Sequence, residues 1–213
     1  MRLVLASASP RRAELLRAAG YDFDVVAVDI DESRRDGEPP AAYVRRLAAE
    51  KSASAARDPK RVALHFVALH SVARPFQGRE DAIILAADTT VVVDDAILGK
   101  PADDEEVASM LRRLSGRRHE VLTGVSLRRG AVEIGRVETT AVYFASLSDH
   151  DVAWYVASGE GRDKAGAYAI QGLASRFIPR IEGSYSNVVG LPLSAVHELL
   201  AQILASPVAD GLS

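Results

Sequence analysis

The sequence predicts an α/β fold: a mixed sheet flanked by helices. Three observations carry the prediction. Short apolar runs alternate with segments of helical period. The first run, Leu3 to Ala6, turns directly into a helix start. Two long strand-like segments, Glu120–Leu127 and Val132–Phe144, meet at Arg128-Arg129-Gly130, a hairpin that a purely parallel sheet would not contain. At 213 residues the chain fits one domain, residues 1–206, with room for two lobes. Its 48% hydrophobic and 26% charged content is that of a globular protein.

The elements read in order as follows. Ser9 suits a helix N-cap, Pro10 the first helical position and Gly20 the residue past the end. Phe23–Val28 reads as a second strand, followed by the acidic loop Asp29–Ser33. Pro39 to Arg57 is helical, with Tyr43, Val44, Leu47 and Ala48 on one face. Residues 58–80 fit a strand, a short helix or an inserted loop equally well. Asp81–Ala87 reads as a buried strand that Val91–Val93 continues or pairs with. Asp103–Leu114 has acids in its first turn and arginines in its last, as the helix dipole favours. Ser148–Ala157 is a helix capped by Ser148, Phe177–Ile181 a strand, and Leu193–Leu204 a final amphipathic helix. Residues 207–213 read as a frayed tail.

Composition excludes several classes of function. A net charge of −3 with interspersed signs argues against binding nucleic-acid polymers through a basic surface. The absence of cysteine removes disulfides, thiolate metal sites and cysteine nucleophiles. No apolar run reaches 18 residues and the N-terminus lacks a signal-peptide pattern, so a soluble, cytoplasmic protein outside the membrane is expected. The five histidines form no recognisable metal motif. His65 and His70 are spaced badly for one helix face, and His119, His150 and His197 read as structural.

Three segments carry candidate chemistry. The strand-to-helix turn gathers free N–H groups, and Arg11 and Arg12 stand in the first helical turn, where cations oppose the dipole unless an anion binds. Asp88 follows an apolar strand, a place where a carboxylate holds a metal or polarises water, or merely opens a turn. Lys100 follows Gly99, but Asp94 and Pro101 stand where a P-loop needs glycine and a hydroxyl. The glycine-rich loop Gly159–Gly172 suits close approach to a ligand, and the Gln171 amide suits the edge of a base. Ser186–Leu193 reads as a cap on the last helix.

Taken together, SASPRRAELL at 7–16, DES at 31–33, AADTTVV at 86–92, ILGKP at 97–101, TGV at 123–125, GRDKAGAYAIQG at 161–172 and NVVGLPL at 187–193 resemble the Maf family of nucleoside triphosphate pyrophosphatases. The resemblance spans nearly the whole chain. It implies a Maf/ITPase-like fold, with two lobes around a central nucleotide-binding cleft, and hydrolysis of a nucleoside triphosphate between its α and β phosphates. It also implies a divalent metal, Mg²⁺ or Mn²⁺, and a homodimer. Asp88 matches the family's catalytic aspartate. Glu32, Lys51 and Lys100 fall at its charged catalytic positions, with Glu32 and Asp88 as metal ligands. Ser7, Arg11 and Arg12 match its phosphate loop. Arg11, Thr89 and Gln171 match the selectivity positions of the branch that resembles dTTP/UTP pyrophosphatase. Rival readings are a 7-methyl-GTP pyrophosphatase, a nucleotide-binding regulator of septation or cell division, and a phosphate-binding protein without turnover. The chain departs from the pattern at Arg61–Gly78, which reads as an insertion. A longer surface loop is the default there, with a cleft cover or a dimer contact as alternatives.

Overall fold

A computed structural model describes residues 2–57 and 82–205. The expectations for residues 58–80 and 207–213 lie outside the described residues. The chain runs β1 (Arg2–Ala6), α1 (Pro10–Ala18), β2 (Phe23–Val26), α2 (Pro40–Arg57), β3 (Ala82–Val93), β4 (Ala96–Leu98), α3 (Asp104–Leu114), β5 (Arg118–Arg129), β6 (Val132–Tyr143), α4 (Asp149–Ser158), β7 (Arg180–Glu182), α5 (Tyr185–Val189) and α6 (Leu193–Ala205). Two short 3₁₀ turns, Ala165–Ala167 and Leu173–Phe177, lie between α4 and β7.

The sheet is mixed, as the hairpin predicts. Its order is β2-β1-β3-β5-β6-β7, with β4 antiparallel to the end of β3. β1 runs parallel to β2 and β3, whereas β3, β5, β6 and β7 are antiparallel neighbours. Caps act where the sequence placed them. Asp103 accepts from the Glu106 N–H, and Ser148 forms a capping box with Asp151. Ser9 occupies the N-cap of α1, but its side chain makes no cap bond; its N–H instead donates to Ser7 Oγ at 3.1 Å.

Three expectations are corrected. β2 stops at Val26, because only residues 23–26 find partners on β1. Val91–Val93 continues the strand, the first of its two readings, so β3 is one strand of 12 residues, held over ten of them by β5. Asp88 therefore sits mid-strand and not at a strand end. Phe177 belongs to a 3₁₀ turn, with its ring edge-on to Trp154 and Tyr155, and the strand begins at Arg180.

Two hydrophobic clusters make the two lobes. One packs α1 and α6 on the early part of β3 and the later part of β5, through Leu16, Ile83, Leu85, Ala87, Val125, Leu127 and Leu199. The other gathers Val91, Val93, Leu111, Leu114, Val121, Tyr155 and Tyr168. β3 thus leaves one core after Ala87 and enters the next at Val91. Asp88, Thr89 and Thr90 fall in the gap. Among the described residues no helix is long and apolar enough to cross a membrane.

α2 crosses the sheet at the same level. Asp88 pairs in register with Gly124 of β5. A Cβ at Gly124 would lie 2.2 Å from the Val44 carbonyl oxygen of α2, so only glycine lets the helix come this close. Lys51 lies seven residues beyond Val44, two turns along the same face, and is thereby delivered to Asp88.

Two predictions follow from the packing. Gly124→Ala should cost about 1–3 kcal/mol of stability, because backbone opposes the new methyl. Chemical denaturation measures this, and an unchanged midpoint would refute the close approach. His119 is buried between Phe144 and Tyr168, with Nε2 2.8 Å from the Tyr168 hydroxyl. Burial, aided by Arg118, pulls its pKa down from 6.5 to about 4. The unfolded chain then binds the extra proton between those values, so His119 costs stability as pH falls through that window, by up to about 1.4 kcal/mol per unit. Denaturation of His119→Gln from pH 7 to 4 should show a shallower loss than the wild-type protein.

Candidate active site

A cavity of about 550 Å³ opens between the lobes. Five cations, Arg11, Arg12, Lys51, Lys100 and Lys164, face three carboxylates there, Glu32, Asp88 and Asp163. The surplus of positive charge suits a polyanion. The rest of the wall includes Ser7, Tyr43, Thr89, Val91, Tyr168, Val188, Val189 and Gly190.

The floor is built around Lys51. Its Nζ lies 2.6 Å from Asp88 Oδ1 and 2.6 Å from Glu32 Oε1. Lys51 and Asp88 are each only 8% exposed, whereas the Glu32 side chain stands at the rim. Burying an ammonium is costly unless it is paired, and here two carboxylates share the task. Burial pushes the Asp88 carboxyl above its ordinary value, with Lys51 and Arg12 opposing. Burial also acts upward on Glu32, but the Lys51 hydrogen bond and charge, with help from Lys100, hold it below its usual range. Asp88 Oδ1 accepts a hydrogen bond from the Lys51 ammonium, and its second oxygen has no hydrogen bond among the described residues. That oxygen can accept a proton from water.

Glu32 is placed by α2. The Tyr43 hydroxyl donates to the Glu32 carbonyl at 2.9 Å. Arg46 grips both Glu38 oxygens, at 2.6 and 2.7 Å, and donates to the Ser33 carbonyl. The loop before α2 is therefore fastened to the helix that carries Lys51.

The two arginines of α1 divide their work. The Arg12 guanidinium donates to the Ala87 carbonyl at 2.7 Å, the Gly190 carbonyl at 2.9 Å, Thr89 Oγ1 at 3.1 Å and Ser7 Oγ at 3.3 Å. Four of its five N–H directions are thus spent on the protein. Arg12 lines the cavity, but chiefly as a brace joining the first turn of α1, β3 and the segment after α5. Thr89 Oγ1 is similarly engaged, since it meets Thr123 Oγ1 at 2.9 Å as well as Arg12. Arg11 has no hydrogen bond or ion pair with a described residue, and neither has Lys100. Both remain available to an anion.

The cavity brings together Ser7, Arg11, Arg12, Glu32, Lys51, Asp88, Thr89 and Lys100. Gln171 is the exception: it is exposed and does not line the wall. The loop after α4 turns Asp163, Lys164, Ala165 and Tyr168 toward the cavity and buries Ala169 and Ile170 in the core. Gln171 then stands exposed at the turn closed by the Gly172 N–H and the Ala169 carbonyl. Sequence reasoning missed Tyr43, Lys164 and the structural glycine at 124. For Tyr43 the available signal was its place on the helix of Lys51. Ser186–Leu193 does more than cap α6. The buried Asn187 donates from Nδ2 to the Val121 carbonyl and to Thr140 Oγ1, both at 3.0 Å, while Val188–Gly190 form cavity wall. No group of three or more His, Asp or Glu side chains able to hold a metal occurs among the described residues.

A family model described as Maf-like protein matches residues 2–203. The chain belongs to the Maf family. Curated Maf relatives cover nearly its whole length. The dTTP/UTP pyrophosphatase of Anaeromyxobacter dehalogenans (strain 2CP-C) is 49% identical over 93% of this chain and 92% of its own. The proteins of the same name from Symbiobacterium thermophilum and Vibrio parahaemolyticus are 48% and 44% identical, over 94% and 95% of this chain and 93% and 97% of their own.

Because the Asp88 carboxyl is pushed up, its ionised form is held at a cost. Its contribution to stability is present at low pH and lost as pH rises through the raised value. At pH 7, however, Asp88→Asn also leaves the buried Lys51 ammonium with Glu32 alone, so the variant should melt lower than the wild-type protein, by about 2–4 °C for each kcal/mol lost. Calorimetry checks this, and an unchanged or raised Tm would mean that the cost of burying the Asp88 carboxylate outweighs its pairing with Lys51.

Proposed function

We propose that this chain hydrolyses dTTP and UTP to the monophosphate and pyrophosphate. The observation that carries this reading is the buried Asp88 carboxylate, one oxygen of which has no hydrogen bond among the described residues, in a cavity also lined by Arg11 and Lys100, cations without a partner among those residues. The names of relatives 44–49% identical over most of the chain support the substrates.

In this reading Asp88 accepts a proton from a water that attacks the α-phosphorus. The bond from that phosphorus to the bridging oxygen breaks, and pyrophosphate leaves with the electron pair. Lys51 fixes the Asp88 oxygen that does not take the proton. Arg11 and Lys100 stabilise charge on the polyphosphate, the largest requirement of this chemistry. The donor set also fits a divalent cation brought in with the substrate. Mg²⁺ is commonly held by one or two carboxylates together with phosphate oxygens, and Glu32 and Asp88 already converge on the one cation between them, the Lys51 ammonium. Mg²⁺ or Mn²⁺ held there would supply neutralising charge to the phosphates.

The test is pyrophosphate release from dTTP, UTP, CTP, GTP and 7-methyl-GTP with Mg²⁺. Turnover should favour dTTP and UTP and fall at least about hundredfold in Asp88→Asn, as expected for loss of a general base. kcat/KM should fall on the acid side about tenfold per pH unit, with a midpoint above the ordinary aspartate value of about 3.9. Preference for 7-methyl-GTP, or full turnover by Asp88→Asn, overturns the reading.

A further inference from the structure

We propose that Lys164 is a further substrate-binding residue, holding the diphosphate portion that departs as pyrophosphate; this rests on the reading of the cleft as a nucleoside triphosphate site. Lys164 faces the cavity with its side chain only 15% exposed. Among the described residues its one ionic partner is the carboxylate next to it in sequence, Asp163, itself 73% exposed. The contrast is with Lys51, which is bracketed by two carboxylates from distant segments. An adjacent, largely hydrated carboxylate compensates little of the cost of withdrawing an ammonium from water. An anion in the cavity would supply the rest.

The backbone aims this lysine. The Lys164 N–H donates to the Gly161 carbonyl at 3.1 Å, and its carbonyl accepts from Ala167 at 3.0 Å. Ala167 is fully buried at φ +59°, a left-handed conformation that a non-glycine residue adopts only when its surroundings enforce it. Gly166, at φ +69°, packs so closely on Val91 that a Cβ would lie 2.8 Å from that side chain. The Gly166 N–H donates to the Gly99 carbonyl at 3.0 Å. Lys100 is the next residue, so one hydrogen bond joins the loops that present Lys164 and Lys100. Arg11 lines the same cavity from α1, and its charge reaches Asp163. Two coupled cations and a third from the other lobe form a receptor for a compact anion of high charge.

Inorganic pyrophosphate with Mg²⁺ is the probe, measured by calorimetry so that no turnover is needed. Lys164→Met should weaken pyrophosphate binding by about tenfold or more, the scale of one lost charged hydrogen bond. KM for dTTP should rise by a similar factor. Inhibition by dTMP, which lacks the diphosphate, should stay unchanged, and Lys164→Arg should recover most of the loss. Normal pyrophosphate affinity in Lys164→Met, with Lys100→Met impaired, overturns the role of Lys164 and leaves the enzyme reading intact. Equal losses for pyrophosphate and dTMP in a variant of lowered Tm also overturn it, as a fold defect. Failure of the wild-type protein both to bind pyrophosphate and to hydrolyse any nucleotide removes the enzyme reading and this proposal together.

Discussion

The Lys51 ammonium, buried beneath the cavity, is the charge around which the site is organised. It is stable there only because Asp88 and Glu32 converge on it. That convergence needs three separate pieces of chain to be held in register. β3 supplies Asp88, the loop before α2 supplies Glu32, and α2 supplies the lysine. The helix reaches far enough into the sheet because Gly124 offers no side chain against Val44. The Tyr43 and Arg46 contacts then bind the Glu32 loop to the same helix. Packing, backbone geometry and charge are thus one arrangement seen at three levels.

The two lobes share this arrangement. Arg12 reaches from α1 to β3 and to the Gly190 carbonyl, and Asn187 ties that segment back to β5 and β6. Most polar groups between the two hydrophobic clusters are consequently bonded to one another, the buried Asn187 Oδ1 being without a hydrogen-bond partner among the described residues. Arg11 and Lys100, which have no such partners among the described residues, stand out against that background as cavity-lining charges.

Much of the fold was legible because its signals are local. The period of α3, the acids at its start and the arginines at its end, and the Ser148 box all operate within a few residues. The hairpin was equally plain, although its turn is Gly130-Ala131 and the expected turn residues Arg128 and Arg129 pair with Glu133 and Val132. Most candidate site residues were legible through ordered motifs, and all but Gln171 line the cavity. What could not be read depends on distant partners. Nothing near Arg12 in sequence announces that carbonyls at 87 and 190 will take its protons. Nothing near Gly124 announces the backbone of Val44. The position of Asp88 was misjudged because Asp-Thr-Thr resembles a turn, whereas β5 pairs with β3 straight through it. Gln171 was placed by motif alone, and the fold of its loop decides where it points.

The continuity of the long strands has a mechanical consequence. β3 and β5 each run 12 residues and contribute to both cores, so the lobes are joined by a hydrogen-bonded ribbon and not by a flexible linker. Such a ribbon twists and bends as an elastic beam, but it has no pivot about which two rigid jaws could swing wide. Admission and release of ligand must therefore depend on the peripheral loops and on the long side chains of Arg11 and Lys100. The geometry at Asp88, clamped at the neutral line of the beam, should be the part of the molecule least altered between filled and empty states.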